Sequence, residues 1–230
     1  VTAVEKFRPL AIGLNCIPPR GLTALLPELR QLTRRPVAAY GHINNPTPIR
    51  GWSYSQAVSP AEYGDYARQW LDENAPLEAV RKIAETPEGF DAAQWSELGS
   101  LGWLGIAVGV AYGGSGFGFM ELAVLAEEMG RTLYPSPFLS TVVLGTWLVE
   151  RLGTDDQKAE ILPAVVRGDH RLAVAAGRAA VHDLVARRQG TDWVVSGRAR
   201  FVLDGHTAHT LIVEAAADDG TRLFLVDGDA

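Results

Sequence analysis

Apolar residues in the first 75 positions form two short continuous runs and one helical repeat. The runs at 10–15 and 36–40 predict buried strands, and leucines at spacings of three and four predict a helix over 21–33. A capping box that begins at Ser59 predicts a second helix over 60–71. Strands and helices in this alternation are typical of a parallel α/β sheet or barrel.

Residues 76–170 have the period of amphipathic helices. The predicted helices span 92–101, 119–129, 137–151 and 154–163. Gly130 is expected to end the second of them, and Thr154 opens the last one with a capping box. The glycine-rich stretch over 102–118 predicts a loop between the first two helices.

Residues 171–230 change to the shorter period of β-structure. Turn residues such as Gly190 and Gly220 separate six short β-rich runs. The runs span 171–176, 184–188, 192–196, 199–203, 210–215 and 222–226. This spacing predicts an antiparallel β-barrel or sandwich behind the helices.

The composition is that of an ordinary globular protein, with 230 residues, 47% apolar and 21% charged. A net charge of −6 argues against a nucleic-acid or acidic membrane surface. A single cysteine excludes an internal disulfide and argues against a self-contained metal cage. Glycines and prolines interrupt the long apolar runs, so no membrane span is expected, and a start without a signal peptide predicts a cytoplasmic location.

An ordered series of motifs runs through the last two thirds of the chain. It comprises Trp95-Ser-Glu-Leu-Gly99, Tyr112-Gly-Gly-Ser-Gly116, Glu127-Glu-Met-Gly-Arg131, Leu162-Pro163, Asp192-Trp-Val-Val-Ser-Gly-Arg198 and Phe201-Val202. In order and spacing the series resembles the acyl-CoA dehydrogenase family over about residues 79–230. The resemblance implies an N-terminal helical domain over 76–170 and an incomplete middle β-domain over 171–230.

The resemblance also implies a chemistry. In that family a carboxylate removes the α-proton of an acyl-CoA, and the β-hydride passes to FAD held between the β-domain and a C-terminal four-helix domain. Phe201 and Val202 match positions beside the flavin ring, so they are the predicted cofactor-binding residues. We predict no catalytic residue and no metal ligand in this chain.

Three departures from the family pattern qualify this expectation. The C-terminal helical domain, with its catalytic carboxylate, is expected to be absent. The flavin-contacting Thr-Glu-Pro and Gly-Ser-Asp segment is replaced after Ala176 by Gly177-Arg-Ala, and Leu203 replaces a hydroxyl residue. These losses resemble the divergent subunits of heteromeric acyl-CoA dehydrogenases, including those that act on sterol side chains.

Several functional interpretations therefore stay open at this point. The chain is predicted to be a flavoprotein subunit or fragment for oxidation of a fatty or sterol acyl-CoA, lacking its own base and working in a homo- or hetero-oligomer. One alternative is a non-catalytic structural partner of another dehydrogenase subunit. Another is a chimeric fragment that carries an inactive segment at its N-terminus.

That N-terminal segment, residues 1–75, has its own resemblance. It resembles late strands of the homocysteine S-methyltransferase barrel, a TIM-type fold, in Ala11-Ile-Gly-Leu-Asn-Cys16, Pro36-Val-Ala-Ala-Tyr40, Gly51-Trp52 and the stretch from Ser59-Pro-Ala-Glu-Tyr63 to Trp70. There the cysteine is one of three thiolates that hold zinc. The expected Gly-Gly-Cys-Cys segment after Trp70 is replaced by Leu71-Asp-Glu-Asn, so methyl transfer by this chain alone is excluded.

The other polar candidates have plainer interpretations. Cys16 is interpreted as a buried thiol, His42 as a loop residue, and the Tyr112–Gly116 glycines as serving backbone geometry. Glu127 and Glu128 point about 100° apart on a helix, so they are interpreted as a solvated face or an interface. The histidines at 182, 206 and 209 lack a metal-ligand spacing.

Overall fold

The computed structural model describes residues 12–17, 31, 37–41, 60–177 and 183–228, and strands 12–17 and 37–41 only by their backbone. Strand β1 (Ile12–Ile17) pairs in parallel with β2 (Val37–Gly41), as the sequence predicts. The predicted helix over 21–33 lies outside the described residues except for Gln31. The barrel-like character of this segment stays a prediction.

A helical part follows, as predicted. Its α-helices are α1 (Pro60–Asn74), α2 (Leu77–Ala84), α3 (Ala92–Ser100), α4 (Phe119–Arg131), α5 (Thr146–Leu152) and α6 (Asp155–Arg167), and a π-helix (Leu139–Gly145) precedes α5. Fully buried leucines at 71, 98, 104 and 125 join α1, α3 and α4 to the loop between them. Trp70 packs edge-on against Trp103, with ring centroids 5.3 Å apart.

The contact between α1 and α4 also includes a buried carboxylate. Glu128 accepts hydrogen bonds from Arg68 Nε at 3.0 Å and from Arg131 Nε at 2.8 Å. Arg131 also donates to Asp72 on α1 at 2.7 Å. Glu128 is therefore not on a solvated face, whereas its neighbour Glu127 is exposed. Glu128 faces α1, so its side chain lies in the contact between the two helices.

Helix α1 consequently packs as part of the helical bundle, although the predicted boundary near residue 75 assigns it to the first segment. It also extends to Asn74 rather than residue 71, and the Asn74 side chain donates to the carbonyl of Trp70 at 2.9 Å. The domain boundary near residue 75 stays a prediction. Because α1 packs on α4, truncations before and after α1 test this boundary.

Two helix ends differ from the prediction, those of α4 and α6. Gly130 lies inside α4, since a single glycine weakens a helix without ending it. Helix α6 passes through Pro163, because a proline removes only one backbone donor and Val165 beyond it is buried. The helix ends at Arg167 and is followed by Gly168, which has φ +84°. The capping box of Thr154 is confirmed, with Gln157 N–H donating to its hydroxyl at 3.3 Å.

The predicted helix over 137–151 is divided into the π-helix and α5. The backbone N–H of Thr146 donates to the carbonyl of Thr141, five residues earlier, and the Thr146 hydroxyl donates to the same carbonyl at 2.7 Å. That spacing matches the wider π-helical turn. Gly145 approaches β3 so closely that a Cβ there would lie 2.5 Å from Leu172 Cβ.

The β-part is a mixed sheet of five strands, β3 (Leu172–Ala175), β4 (Val185–Gln189), β5 (Asp192–Ser196), β6 (Thr210–Ala217) and β7 (Gly220–Asp227). The pairs β4–β5 and β6–β7 are antiparallel hairpins, as predicted. The purely antiparallel prediction is wrong for β6, which pairs in parallel with both β3 and β4. The described strands form an open path from β5 through β4 to β6, with β3 and β7 also on β6.

The sixth predicted strand, over 199–203, is a loop. Phe201 has φ +58° and Asp204 has φ +54°, and this left-handed backbone cannot continue a strand. In the helices that the structure describes, none is long and apolar enough to cross a bilayer.

A buried hydroxyl joins the helical part to the sheet. Thr141 Oγ1, on the π-helix, donates to the Leu172 carbonyl at 3.1 Å and accepts from the Leu172 amide at 3.0 Å. Thr141 and Leu172 are both fully buried, so both backbone groups of Leu172 depend on this one side chain.

The Glu128 contact predicts a pH-dependent stability. Hydrogen bonding from Arg68, and from Arg131, lowers the pKa of the Glu128 carboxyl to about 2 against the opposing effect of burial. Because this folded-state pKa lies below the usual 4.5, the stabilisation is present above pH 4.5 and is lost as the pH falls through 2. Glu128→Gln should lower the melting temperature by several degrees at pH 7, measured by circular dichroism, and converge with the wild type near pH 2.

Glu127→Gln is the matched control, since it removes the same charge from the exposed neighbour on the same helix. It should leave the melting temperature unchanged. A Glu128→Gln deficit that persisted at pH 2 would show that the carboxylate charge is not its source.

The packing of α1 predicts how the chain can be shortened. Residues 60–230 should unfold cooperatively without the first 59 residues, because Tyr63, Ala67 and Leu71 of α1 are buried in the helical core. Residues 76–230, which lack α1, should melt at a lower temperature or lose cooperativity. Equal melting curves for the two truncations, measured by circular dichroism, would contradict this assignment.

The Thr141 contact predicts a large cost for a nearly isosteric change. Thr141→Val strands the amide and the carbonyl of Leu172, and each unsatisfied buried group costs about 1–3 kcal/mol. The free energy of unfolding in urea should fall by about 2 kcal/mol or more. Thr191→Val, at an exposed turn, is the control and should change it by less than about 0.5 kcal/mol.

Candidate functional site

The β-part contains an open cleft of about 440 Å³. Its lining is mostly apolar, with His206 and Ser196 as polar members. The other lining residues are Ala175, Leu184, Val195, Gly197, Ala199, Val202, Gly205, Leu211, Val213 and Val226. Strands β3, β5, β6 and β7 thus contribute lining residues, and so does the loop between β5 and β6.

The two predicted cofactor residues lie on this loop with different exposures. Val202 lines the cleft, whereas the Phe201 side chain is 91% exposed beside it. Phe201 has left-handed backbone, which is rare for a bulky residue and costs about 1–3 kcal/mol. The loop therefore holds an aromatic ring in solvent at the expense of local strain. Their role beside a flavin stays a prediction.

Hydrogen bonds from several directions fix the loop. Gly205 N–H donates to the Val202 carbonyl at 3.2 Å, which forms a tight turn after the cleft residue. Asp204 Oδ2 accepts from the hydroxyl of Ser140, on the π-helix, at 2.6 Å. His206 Nε2 lies 3.1 Å from the carbonyl of Pro87 in the helical part. The helical part thus supplies two of the contacts that hold the loop.

Positive charge lies on the same loop. Arg198 and Arg200 are exposed and flank Ala199, a cleft residue, immediately before Phe201. An exposed aromatic side chain and two arginines on one loop suit a ligand that combines a planar ring with an anionic group.

The histidines at the base of the sheet serve the fold. The Arg171 amide donates to His209 Nδ1 at 2.9 Å, and His170 Nε2 lies 2.9 Å from Thr210 Oγ1. Burial lowers the pKa of His170, and the neighbouring His209 and Arg171 lower it further. No group of three potential metal ligands occurs among the described residues; His42, His182 and the Cys16 side chain lie outside them.

The glycine-rich loop has the structural role predicted for it. Gly113 and Gly116 have φ of +85° and +66°, and a Cβ on Gly114 would lie 2.2 Å from the Val108 carbonyl oxygen. These glycines permit the chain to fold back on residues 105–108, where Ser115 N–H donates to the Gly105 carbonyl at 2.9 Å.

Comparison with known proteins identifies the helical part. A model of the acyl-CoA dehydrogenase N-terminal domain matches residues 61–169. Residues 61–169 are related to the acyl-CoA dehydrogenases. Acyl-CoA dehydrogenase FadE12 of Mycobacterium tuberculosis H37Rv is 33% identical over 170 residues, which cover 67% of this chain and 42% of the relative.

Solved acyl-CoA dehydrogenase structures share both the helical and the β-part. The "Tcur3481-Tcur3483 steroid ACAD G363A variant" has a TM-score of 0.68 at 36% identity over 74% of this chain and 48% of that one. The ChsE4-ChsE5 complex of Mycobacterium tuberculosis has a TM-score of 0.68 at 26% identity, over 76% and 49%. A glutaryl-CoA dehydrogenase of Mycobacterium smegmatis in complex with FADH2 has 0.66 at 25%, over 74% and 45%.

This chain therefore spans about half the length, or less, of the acyl-CoA dehydrogenases it matches. A homocysteine S-methyltransferase model also matches, over residues 1–80. The two matches overlap over 61–80, which contain nearly all of α1 and the first half of α2. In the structure α1 packs on α4, which places the shared segment with the acyl-CoA dehydrogenase-like core.

Sequence reasoning missed the residues that hold the loop. Asp204 and Ser140 are 64 positions apart, and neither stands out by type or spacing. One local signal was available, because Asp204-Gly205 is a turn dipeptide at the end of a stretch interpreted as a strand. The distant partner on the π-helix has no such signal.

Proposed function

We propose that this chain forms one side of a flavin site in an acyl-CoA dehydrogenase, with FAD as hydride acceptor and an acyl-CoA as substrate. The observation that carries the proposal is the loop over 198–205, which displays Phe201 beside the cleft. Its support is the shared fold, since the matched structures include an acyl-CoA dehydrogenase with FADH2. A cytoplasmic location is part of the same proposal.

The residues present fit the ring of a flavin. The exposed face of Phe201 offers an aromatic surface, and Val202 with the aliphatic lining of the cleft offers an apolar one. Arg198 and Arg200 supply the positive charge that suits a dinucleotide's phosphates. When bound, FAD would supply the capacity to accept a hydride, which no amino-acid side chain has. The chain's own residues bind and orient the ring and exclude water from one face.

The catalytic carboxylate is proposed to come from outside the described residues. The ion-paired Glu128 cannot serve as the base, because it is buried and its carboxylate already accepts hydrogen bonds from two arginines. The names of two matched structures, Tcur3481-Tcur3483 and ChsE4-ChsE5, each join two proteins. A second subunit is therefore the proposed source of the base, with a fatty or sterol acyl-CoA as the substrate class.

A non-catalytic structural partner is the second candidate. It is favoured by Leu203, which is 47% exposed beside Phe201 and offers no hydroxyl to a flavin. The absent Thr-Glu-Pro motif points in the same direction, although residues 178–182 lie outside the described part. In this candidate the chain stabilises a dehydrogenase subunit without holding flavin.

A flavin titration separates the two candidates. FAD should bind the purified chain at one equivalent, with quenched flavin fluorescence. Phe201→Ala should raise the dissociation constant by roughly threefold to tenfold, because an aromatic contact contributes about 0.5–1.5 kcal/mol beyond its buried area. Phe119→Ala, at a phenylalanine that is 56% exposed on α4, is the matched control and should leave the constant unchanged.

Each outcome has a distinct meaning. Equal losses in both variants would show that Phe201 does not contact the ring. No FAD binding by a chain that remains folded by circular dichroism would overturn the flavin proposal and support the structural partner.

A further inference from the structure

The π-helix directs one buried hydroxyl at the cleft loop. Ser140 is fully buried, and its Oγ lies 2.6 Å from Asp204 Oδ2 and 3.1 Å from the Pro137 carbonyl. One hydroxyl hydrogen can serve only one acceptor well, and the closer, charged carboxylate is the stronger acceptor. Ser140 therefore donates to Asp204 across a sequence separation of 64 residues.

Asp204 occupies the position that decides the loop's shape. Its φ of +54° is left-handed, which aspartate and asparagine tolerate better than most residues. Its carbonyl accepts from Thr207 N–H at 3.1 Å, and Gly205 beside it closes the turn onto Val202. A Cβ at Gly205 would lie 3.1 Å from Val202 Cβ, so the turn and the cleft residue are in tight contact.

Phe201 depends on this anchor because its own backbone is strained. A left-handed phenylalanine persists only where its surroundings fix it. With 91% of its side chain exposed, the Phe201 ring contributes little to fixing the loop. The constraint has to come from the other end of the turn, where Asp204 meets the helical part.

We infer that Ser140 and Asp204 are positioning residues for the cofactor face of the loop. Their hydrogen bond sets the orientation in which Phe201 and Val202 meet the flavin ring, although neither residue touches that ring. The inference rests on the proposed flavin site and adds to it a control from the helical part. It also gives the π-helix a role, since its widened turn lies over β3 and brings Ser140 to the loop.

The test uses both sides of the hydrogen bond and a conservative rescue. Ser140→Ala removes the donor, and Asp204→Ala removes the acceptor together with the left-handed preference. Asp204→Asn keeps an oxygen acceptor and the left-handed preference. At saturating FAD, Ser140→Ala and Asp204→Ala should shift the visible circular dichroism of the bound flavin and raise its dissociation constant about tenfold, whereas Asp204→Asn should stay within about twofold of the wild type.

Glu128→Gln is the matched control for general destabilisation, since it weakens the α1–α4 contact away from the loop. It should lower the melting temperature yet leave the spectrum of the saturated flavin unchanged. The double variant Ser140→Ala/Asp204→Ala should bind FAD no more weakly than Asp204→Ala alone, because both changes remove one interaction.

The outcomes distinguish this inference from the proposed function. A wild-type chain that binds FAD while Ser140→Ala matches it in spectrum and affinity overturns the positioning role and leaves the flavin site standing. An equal spectral shift in Glu128→Gln also overturns it, because general destabilisation of the fold would then explain the change in the flavin spectrum. A folded wild-type chain that binds no FAD overturns both.

Discussion

The π-helix over Leu139–Gly145 meets β3 and the cleft loop through hydroxyl groups that have no access to water. Thr141 satisfies the amide and the carbonyl of Leu172, and Ser140 donates to Asp204. Buried backbone groups without partners are costly, so these contacts constrain how the helical part and the sheet fit together. Gly145 also approaches Leu172 so closely that the junction has no room for a methyl group at position 145.

The charged contacts of the helical part act at a different place. Glu128 and its two arginines hold α1 on α4. Nearly all of α1 lies in the segment where the two family matches overlap. A buried carboxylate between guanidinium groups gives geometric selectivity more readily than net stability, because its desolvation is expensive. The pair thus specifies where α1 lies, and the surrounding leucine and aromatic packing supplies most of the stabilisation.

Local patterns predicted the elements much better than their connections. The capping box at Thr154, the strand at Asp192–Ser196 and the two hairpins follow from side-chain chemistry within a few residues. The parallel pairing of β3 with β6 does not, since it joins residues 38 positions apart, as in Leu172 opposite Thr210. By composition the stretch 199–203 resembles a strand. In the structure it differs from a strand by the left-handed backbone of Phe201 and of Asp204, which follows it.

The same reasoning explains why the candidate site could be predicted only in part. The family resemblance pointed to Phe201 and Val202, because these two residues are adjacent and form a motif that is visible in the sequence. Their orientation depends on Ser140, which belongs to the helical part and comes near the loop only once the π-helix has packed on β3. A cleft built on the sheet but oriented from the helices has its shape determined by the junction between them. A chain that keeps this junction preserves the shape of one side of the proposed cofactor site, whichever residues complete the other side.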